Sequence, residues 1–304
     1  METIKPKKLK KGDTIGIISL CGAIREVEKV YNAKSFFEKN GYNVVLSENI
    51  FDKKRYLAGE DDKKTEYLNK FFKDDSIDAI LCSRGGYGAI RIINKIDYDV
   101  IKSNPKIFAG YSDVTVLSSM ILKKTGLITF SAPMACSDFG DENISELTCK
   151  SFFETLENSK ESSIKPVNPT VYQEGEAQGI LFGGNLSSLV SLCGVDFIPD
   201  EKFIFFAEDL NEDVYRIDKM FHQLLNIQKF KDNLAGIMIG EFLDVSSKED
   251  LKELFKEIAF EVKKPMTDGF LISHGKDKIT VPIGASARIN TFDKTVYVES
   301  YTQS

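Results

Sequence analysis

The sequence predicts an α/β protein: an N-terminal Rossmann-like domain built on a parallel sheet, then a second, smaller, β-rich α+β domain. Three observations carry this. Between residues 14 and 130, short apolar runs alternate with amphipathic stretches at helical spacing, the pattern of a mostly parallel sheet covered on both faces. Residues 158–175 are rich in Ser, Pro, Glu and Asn and read as a linker. The chain then ends on strand-like runs whose turn signals suggest antiparallel pairing. The expected domains are therefore 1–157 and 176–304.

Residues 14–20 read as the first buried strand. The helix expected over 26–39 carries Val27, Val30, Tyr31 and Phe37 at helical spacing, and Gly41 closes it. Strands over 42–46 and 77–82 flank a charged helix over 60–73, with Tyr67, Leu68, Phe71 and Phe72 inward. A helix is expected over 86–95, short strands over 107–109 and 127–130, and a helix over 114–124 between those two strands. In the second half, a strand over 178–182 leads through Gly183-Gly184-Asn185 into a helix over 186–193. Residues 203–207 form a strongly apolar strand, and 234–239 another. Between them, 213–226 is amphipathic, with Val214, Ile217, Phe221 and Leu224 on one stripe. The tail supplies strands over 279–283, 287–291 and 295–299, with a turn at Phe292-Asp293-Lys294.

The chain has 304 residues, 42% hydrophobic, enough for one large or two ordinary domains. A charged fraction of 28% and a net charge of −6 suit a soluble protein and argue against nucleic acid, for which a basic stripe is expected. The one basic cluster, 5–11, reads as a solvated tail. No apolar segment approaches the ~20 residues that span a bilayer. Residues 1–13 contain no apolar signal-peptide core, so no membrane partner is expected and the cytoplasm is the expected location. The five cysteines are odd in number and show no metal-like spacing, which fits a reducing compartment. Cys82 and Cys193 lie in apolar contexts and read as buried, unreactive thiols. With two histidines and no Cys/His cluster, no metal site is expected, and no cofactor.

The chemistry centres on Ala109-Gly110-Tyr111-Ser112-Asp113, between a short strand and a helix. A serine on a sharp strand-to-helix turn is lifted above the sheet, and the next N–H is free to hold an oxyanion. A plain structural turn remains the alternative for a Gly-x-Ser pattern. Of the two histidines, His222 falls mid-helix beside an apolar stripe and reads as a packing residue. His274, in a loop, is the better partner base for a serine hydroxyl. Glu208 ends the apolar strand over 203–207, where a carboxylate could orient an imidazole, or stand only as a rim charge. Its neighbour Asp209 is expected to start or cap the following helix. Ser83-Arg84-Gly85-Gly86-Tyr87-Gly88 is a glycine turn able to offer N–H groups to an oxyanion or an anionic substrate end. It matches neither phosphate-loop motif, so nucleotide binding has little support.

Together these segments resemble the serine LD-carboxypeptidase family, which includes the microcin C immunity peptidases. The resemblance is carried, in order, by Ser83-Arg84-Gly85-Gly86-Tyr87-Gly88, Gly110-Tyr111-Ser112-Asp113, Gly183-Gly184-Asn185-Leu186, Glu208-Asp209 with Tyr215-Arg216-Ile217-Asp218, and His274-Gly275 with Val281-Pro282-Ile283-Gly284. It implies a two-domain hydrolase with its site between the domains. Ser112 is then the nucleophile, His274 the base and Glu208 its orienting partner, with the N–H groups of Gly86 and Asp113 as the oxyanion hole. Arg84, Gly85 and Asn185 are the expected substrate-binding residues, Arg84 as a candidate for a substrate carboxylate or, alternatively, a structural salt bridge. The implied substrate is a murein tetrapeptide, cleaved before its terminal D-alanine in peptidoglycan recycling, by a homodimer without metal. The alternatives are a peptidyl-nucleotide amidase of the same family and a non-catalytic protein that binds a ligand in its cleft. Immunity members typically carry tryptophan-containing substrate loops, and this chain has no Trp.

Overall fold

The computed structural model describes residues 3–304. Its first half runs β1 (Thr14–Ile18), α1 (Val27–Lys39), β2 (Asn43–Leu46), α2 (Asp61–Lys73), β3 (Ala79–Cys82), α3 (Tyr98–Ser103), β4 (Ile107–Ala109), α4 (Val114–Thr125), β5 (Thr129–Ser131) and α5 (Glu146–Leu156). The second half runs β6 (Ser162–Ile164), β7 (Val171–Gln173), β8 (Glu176–Asn185), α6 (Leu186–Val190), β9 (Phe203–Leu210), α7 (Val214–Leu225), α8 (Gln228–Asn233), β10 (Leu234–Leu243), α9 (Lys248–Val262), β11 (Met266–Thr267), β12 (Val281–Ile283), β13 (Ser286–Asn290) and β14 (Thr295–Val298).

The first sheet has the order β12-β5-β4-β3-β1-β2, parallel except for β12. β1, β3 and β4 are buried almost throughout, because helices cover both faces and leave no polar side. Strand order reverses between β1 and β3, so the loops after these two strands diverge and leave a crevice at their carboxyl ends. The second sheet has the order β6-β14-β13-β8-β9-β10-β11-β7. β8, β9, β10 and β11 are parallel, while β6, β14, β13 and β7 pair antiparallel around them. Among the described residues, no helix is long and apolar enough to cross a membrane.

The alternating first half and the antiparallel hairpin of β13 and β14 match the expectation. Several details differ. Residues 158–175 join the halves but also supply β6 and β7, the two edge strands of the second sheet. β12, expected in the antiparallel tail, crosses back and pairs with β5 in the first sheet. The helix expected over 86–95 is a single 3₁₀ turn, Ala89–Arg91, since three glycines before it favour a turn. The basic N-terminus is no free tail. Leu9 is buried and bonded to Leu156, and Lys11 lies over the Tyr42 ring and pairs with Glu157 at 3.1 Å. Cys82 is buried as expected, whereas Cys193 is partly exposed.

Candidate active site

The turn after β4 is shaped by close packing. Gly110 has Val114 Cγ1 and Cys82 Cβ about 3 Å from where a Cβ would stand, so no larger residue fits. Ser112 then takes φ 61°, a left-handed conformation that non-glycine residues adopt at a cost of roughly 1–3 kcal/mol and that clusters at functional sites. The strain is held by α4, which starts two residues later, and by the Asp113 carboxylate, which accepts the Ala89 N–H at 2.9 Å. Asp113 therefore does not cap its own helix. It ties the Ser112 turn to the glycine turn, and burial raises its carboxyl above the usual range.

The glycine turn lies directly against the serine. A Cβ on Gly85 would sit 2.7 Å from Ser112 Cβ and 2.8 Å from Oγ, so only glycine permits this approach. Gly85 O accepts the Gly22 N–H at 3.0 Å, which fixes the turn to the loop after β1. Among the described residues, the N–H groups of Gly85, Gly86 and Asp113 have no intramolecular acceptor. Among the described residues Arg84 makes no ion pair; its guanidinium donates to Ala23 O at 2.9 Å.

Glu208 stands in register with Asn185 at the end of β8, and Asp209, the next residue of β9, is in register with Phe242 of β10, the two carboxylates on opposite faces of the strand. Glu208 is 2% exposed and accepts from His274 Nδ1 at 2.8 Å. Burial raises its carboxyl, and the facing imidazole opposes that. Asp209 has a different task. It accepts the Ser187 N–H at 2.7 Å and the Asn185 side-chain amide at 2.8 Å, so it caps α6 rather than the helix that follows it. Asn185 is itself buried and caps α6 through the Ser188 N–H, which commits its polar atoms to the turn instead of leaving them facing a ligand. Its N–H donates to Thr115 Oγ1 at 3.1 Å, joining the second half to α4.

His274 is carried on a loop pinned from two sides. Glu241 N–H bonds Ile272 O at 2.9 Å, and Thr148 of α5 donates to Lys276 O and accepts from Lys278 N, each at 3.0 Å. The imidazole meets the Tyr111 ring edge-on at 4.9 Å, which brings it beside the Ser112 turn. Tyr111 is held in turn by the buried Lys278, whose ammonium bonds the phenol at 3.2 Å and pairs with Asp138. With Nδ1 committed to Glu208, Nε2 is the nitrogen left to exchange a proton. The other histidine, His222, spends its ring on Asp218 at 2.7 Å and Glu261 at 3.3 Å, half-exposed in ion pairs and not packed in the core.

Tyr111 is in the sequence motif without a role of its own, and Asp138, Thr148 and Lys278 escape the sequence reading. Only a buried lysine–aspartate pair distant in sequence would have signalled them, and sequence does not report burial. The arrangement offers a strained hydroxyl with unbonded N–H donors beside it, and a carboxylate-oriented imidazole linked to the same turn through Tyr111.

Comparisons with known proteins identify the family. The profile described as the LD-carboxypeptidase N-terminal domain matches residues 15–132, and that of the C-terminal domain matches 178–289. A Bacillus subtilis (strain 168) protein described as a "probable murein peptide carboxypeptidase" is 37% identical over 97% of this chain and 94% of its own. The crystal structure of an MccF-like protein from Bacillus anthracis is 30% identical with a TM-score of 0.90, covering 98% of this chain and 100% of that one. That of a muramoyltetrapeptide carboxypeptidase from Oxalobacter formigenes is 26% identical with a TM-score of 0.86, covering 95% and 100%. With both of its domains matched in order, this chain belongs to the LD-carboxypeptidase family of peptidases.

Proposed function

We propose that the chain is a serine-type LD-carboxypeptidase, hydrolysing the amide bond between an L-configured diamino acid centre and terminal D-alanine in murein tetrapeptides. The observation that carries this is the 2.8 Å bond from His274 to the buried Glu208, set against the Ser112 turn through Tyr111. The printed descriptions of the Bacillus subtilis and Oxalobacter formigenes relatives support the substrate class.

Ser112 Oγ bonds the carbonyl carbon as its proton passes to His274 Nε2. Gly86 and Asp113 N–H groups hold the oxyanion, and Glu208 stabilises the imidazolium. Collapse breaks the C–N bond, and His274 returns the proton to the amine of departing D-alanine. Water then attacks the acyl-serine, giving one proton to His274, which passes it to Ser112 as the acid product leaves. Asn185 supports this by shaping the turn that meets α4. Five free thiols support a reducing, cytoplasmic setting. The homodimer implied by the family resemblance is checked by sedimentation.

The test is mass spectrometry of a murein tetrapeptide incubated with purified protein. D-alanine release by the parent and none by Ser112→Ala is expected; release by Ser112→Ala would remove the nucleophile. The similarity to an MccF-like protein favours one second reading, an amidase for peptidyl-nucleotide compounds. Turnover of such a compound with an untouched tetrapeptide would select it. Tight binding of the tetrapeptide without turnover would select a non-catalytic protein.

A further inference from the structure

Three stretches of chain meet at the Tyr111 ring. Tyr111 belongs to the serine turn after β4, Asp138 to the turn Ala135–Phe139 after β5, and Lys278 to the loop that carries His274. Lys278 pairs with Asp138, the two side chains being only 6% and 7% exposed. The same ammonium donates to the Tyr111 phenol at 3.2 Å and stands 4.6 Å from the ring centroid. Asp138 is fixed in turn, since its other oxygen accepts the Met134 N–H at 2.8 Å.

A buried ion pair is a poor source of stability. Desolvating two charges costs about as much as their attraction returns, and an apolar pair of similar volume often does as well or better. What the pair adds here is direction. An ammonium carries three donors. One holds Asp138 and another the phenol, while the cation rests against the ring face, so the depth and the tilt of the ring are both set. Burial, with the Asp138 carboxylate close by, raises the phenol pKa well above its ordinary value, so the group stays neutral.

The ring so held is where the serine turn and the histidine loop touch. The His274 imidazole meets it at 4.9 Å and 67°. Glu208 and Lys278 line one small hollow with it. Among the described residues, the imidazole makes its one side-chain bond to Glu208, and no hydrogen bond joins it to Ser112 Oγ. Thr148 and Ser151 of α5 hold the histidine loop by its backbone, and neither belongs to the serine turn. Among the described residues, Lys278 alone ties the loop to that turn by a side-chain hydrogen bond. We propose that Lys278 is a positioning residue: through Tyr111 it sets where the His274 imidazole stands relative to the Ser112 hydroxyl, and Asp138 is the counter-charge that keeps the cation in place. The inference rests on the roles given above to Ser112 and His274 and adds to them a cation outside the triad.

The test compares the parent with Lys278→Met and with Lys278→Met/Asp138→Leu, which replaces the pair by apolar groups of similar volume. D-alanine release from the tetrapeptide gives kcat and KM, and thermal unfolding gives Tm. The histidine ring signals in NMR spectra give a readout independent of turnover; the chain has two histidines, so His222→Gln assigns the signal of His274. A misplacement of about 1 Å near reacting groups costs about 10²-fold in rate. Lys278→Met is therefore expected to lower kcat about 10²-fold, with KM within about twofold of the parent's. The double variant should regain the parent's Tm and keep the lowered kcat. The His274 signal should move in both variants as the neighbouring ring shifts. Full kcat in the double variant, an unmoved His274 signal, or a loss confined to KM would overturn the proposal. If Lys278→Met is too unstable to assay, the double variant decides. A parent that releases no D-alanine, with the His274 signal moving as expected, would remove the hydrolase reading and leave the clamp standing. Release by the parent with an unmoved signal would do the reverse.

Discussion

The two sides of the candidate site are made of different material. The Ser112 side is a backbone construction: a left-handed serine, a glycine pressed against it and N–H groups without acceptors. The side at the end of β9 is a side-chain construction, in which two adjacent carboxylates each find one partner set. A backbone site is broken by adding a methyl group, and a side-chain site by removing a charge. The comparison also teaches that neighbours in sequence divide their labour by strand alternation: Glu208 faces the imidazole and Asp209 faces α6.

Substitutions can break or sharpen this contrast. The largest effect is expected from Ser112→Ala or His274→Ala, each lowering kcat about 10⁴- to 10⁶-fold in a D-alanine release assay, with the double variant little worse than either. Glu208→Gln should lose about 10⁴-fold by disturbing the imidazole tautomer. Its stability should move the other way. Burial holds the Glu208 carboxyl above its ordinary 4.5, so the folded chain binds more protons than the unfolded one between those two values. That contribution is present below 4.5 and is lost as pH rises through the folded value. Glu208→Gln removes the loss, and its Tm at pH 7 should equal or exceed the parent's; a clear drop would mean the ion pair outweighs the burial cost.

Gly85→Ala tests the backbone side. Its methyl would press on Ser112 Cβ, and a loss of about 10²- to 10³-fold in kcat is expected if the oxyanion donors shift. Unchanged kinetics would show that the turn can yield. The smallest effect on rate is expected from Asp209→Ala, which removes the α6 cap and should cost about 1–3 kcal/mol in denaturant unfolding while retaining most turnover. A loss of activity equal to that of Glu208→Gln would merge the two carboxylates into one role.

Legibility followed the same divide. Ser112 was readable because a strand, a small-residue turn and a helix are local signals, and His274 because only two histidines compete. Glu208 was readable from its place after an apolar run. The edge strands β6 and β7 were not, since three-residue strands carry no period and exist only through their partners. α9 was missed although Ser247 caps Asp250 and Leu251, Leu254, Phe255 and Ile258 follow at helical spacing; there the signal was present. The hollow lined by Arg25, Lys53, Arg55 and Arg84 is invisible in the sequence for a topological reason, because the loops after β1, β2 and β3 meet only where the sheet reverses its strand order.

The return of β12 to the first sheet has a mechanical consequence. Seven residues beyond His274, the chain is hydrogen-bonded to β5, so the histidine loop is leashed at both ends, one to each sheet. Wide separation of the lobes would have to peel that strand away, which confines opening to small-amplitude breathing. A genetic cut near residue 157 would also strip the first lobe of its outermost strand, baring an unpaired rim prone to clumping. Severed lobes should therefore fold poorly apart and regain solubility when co-expressed.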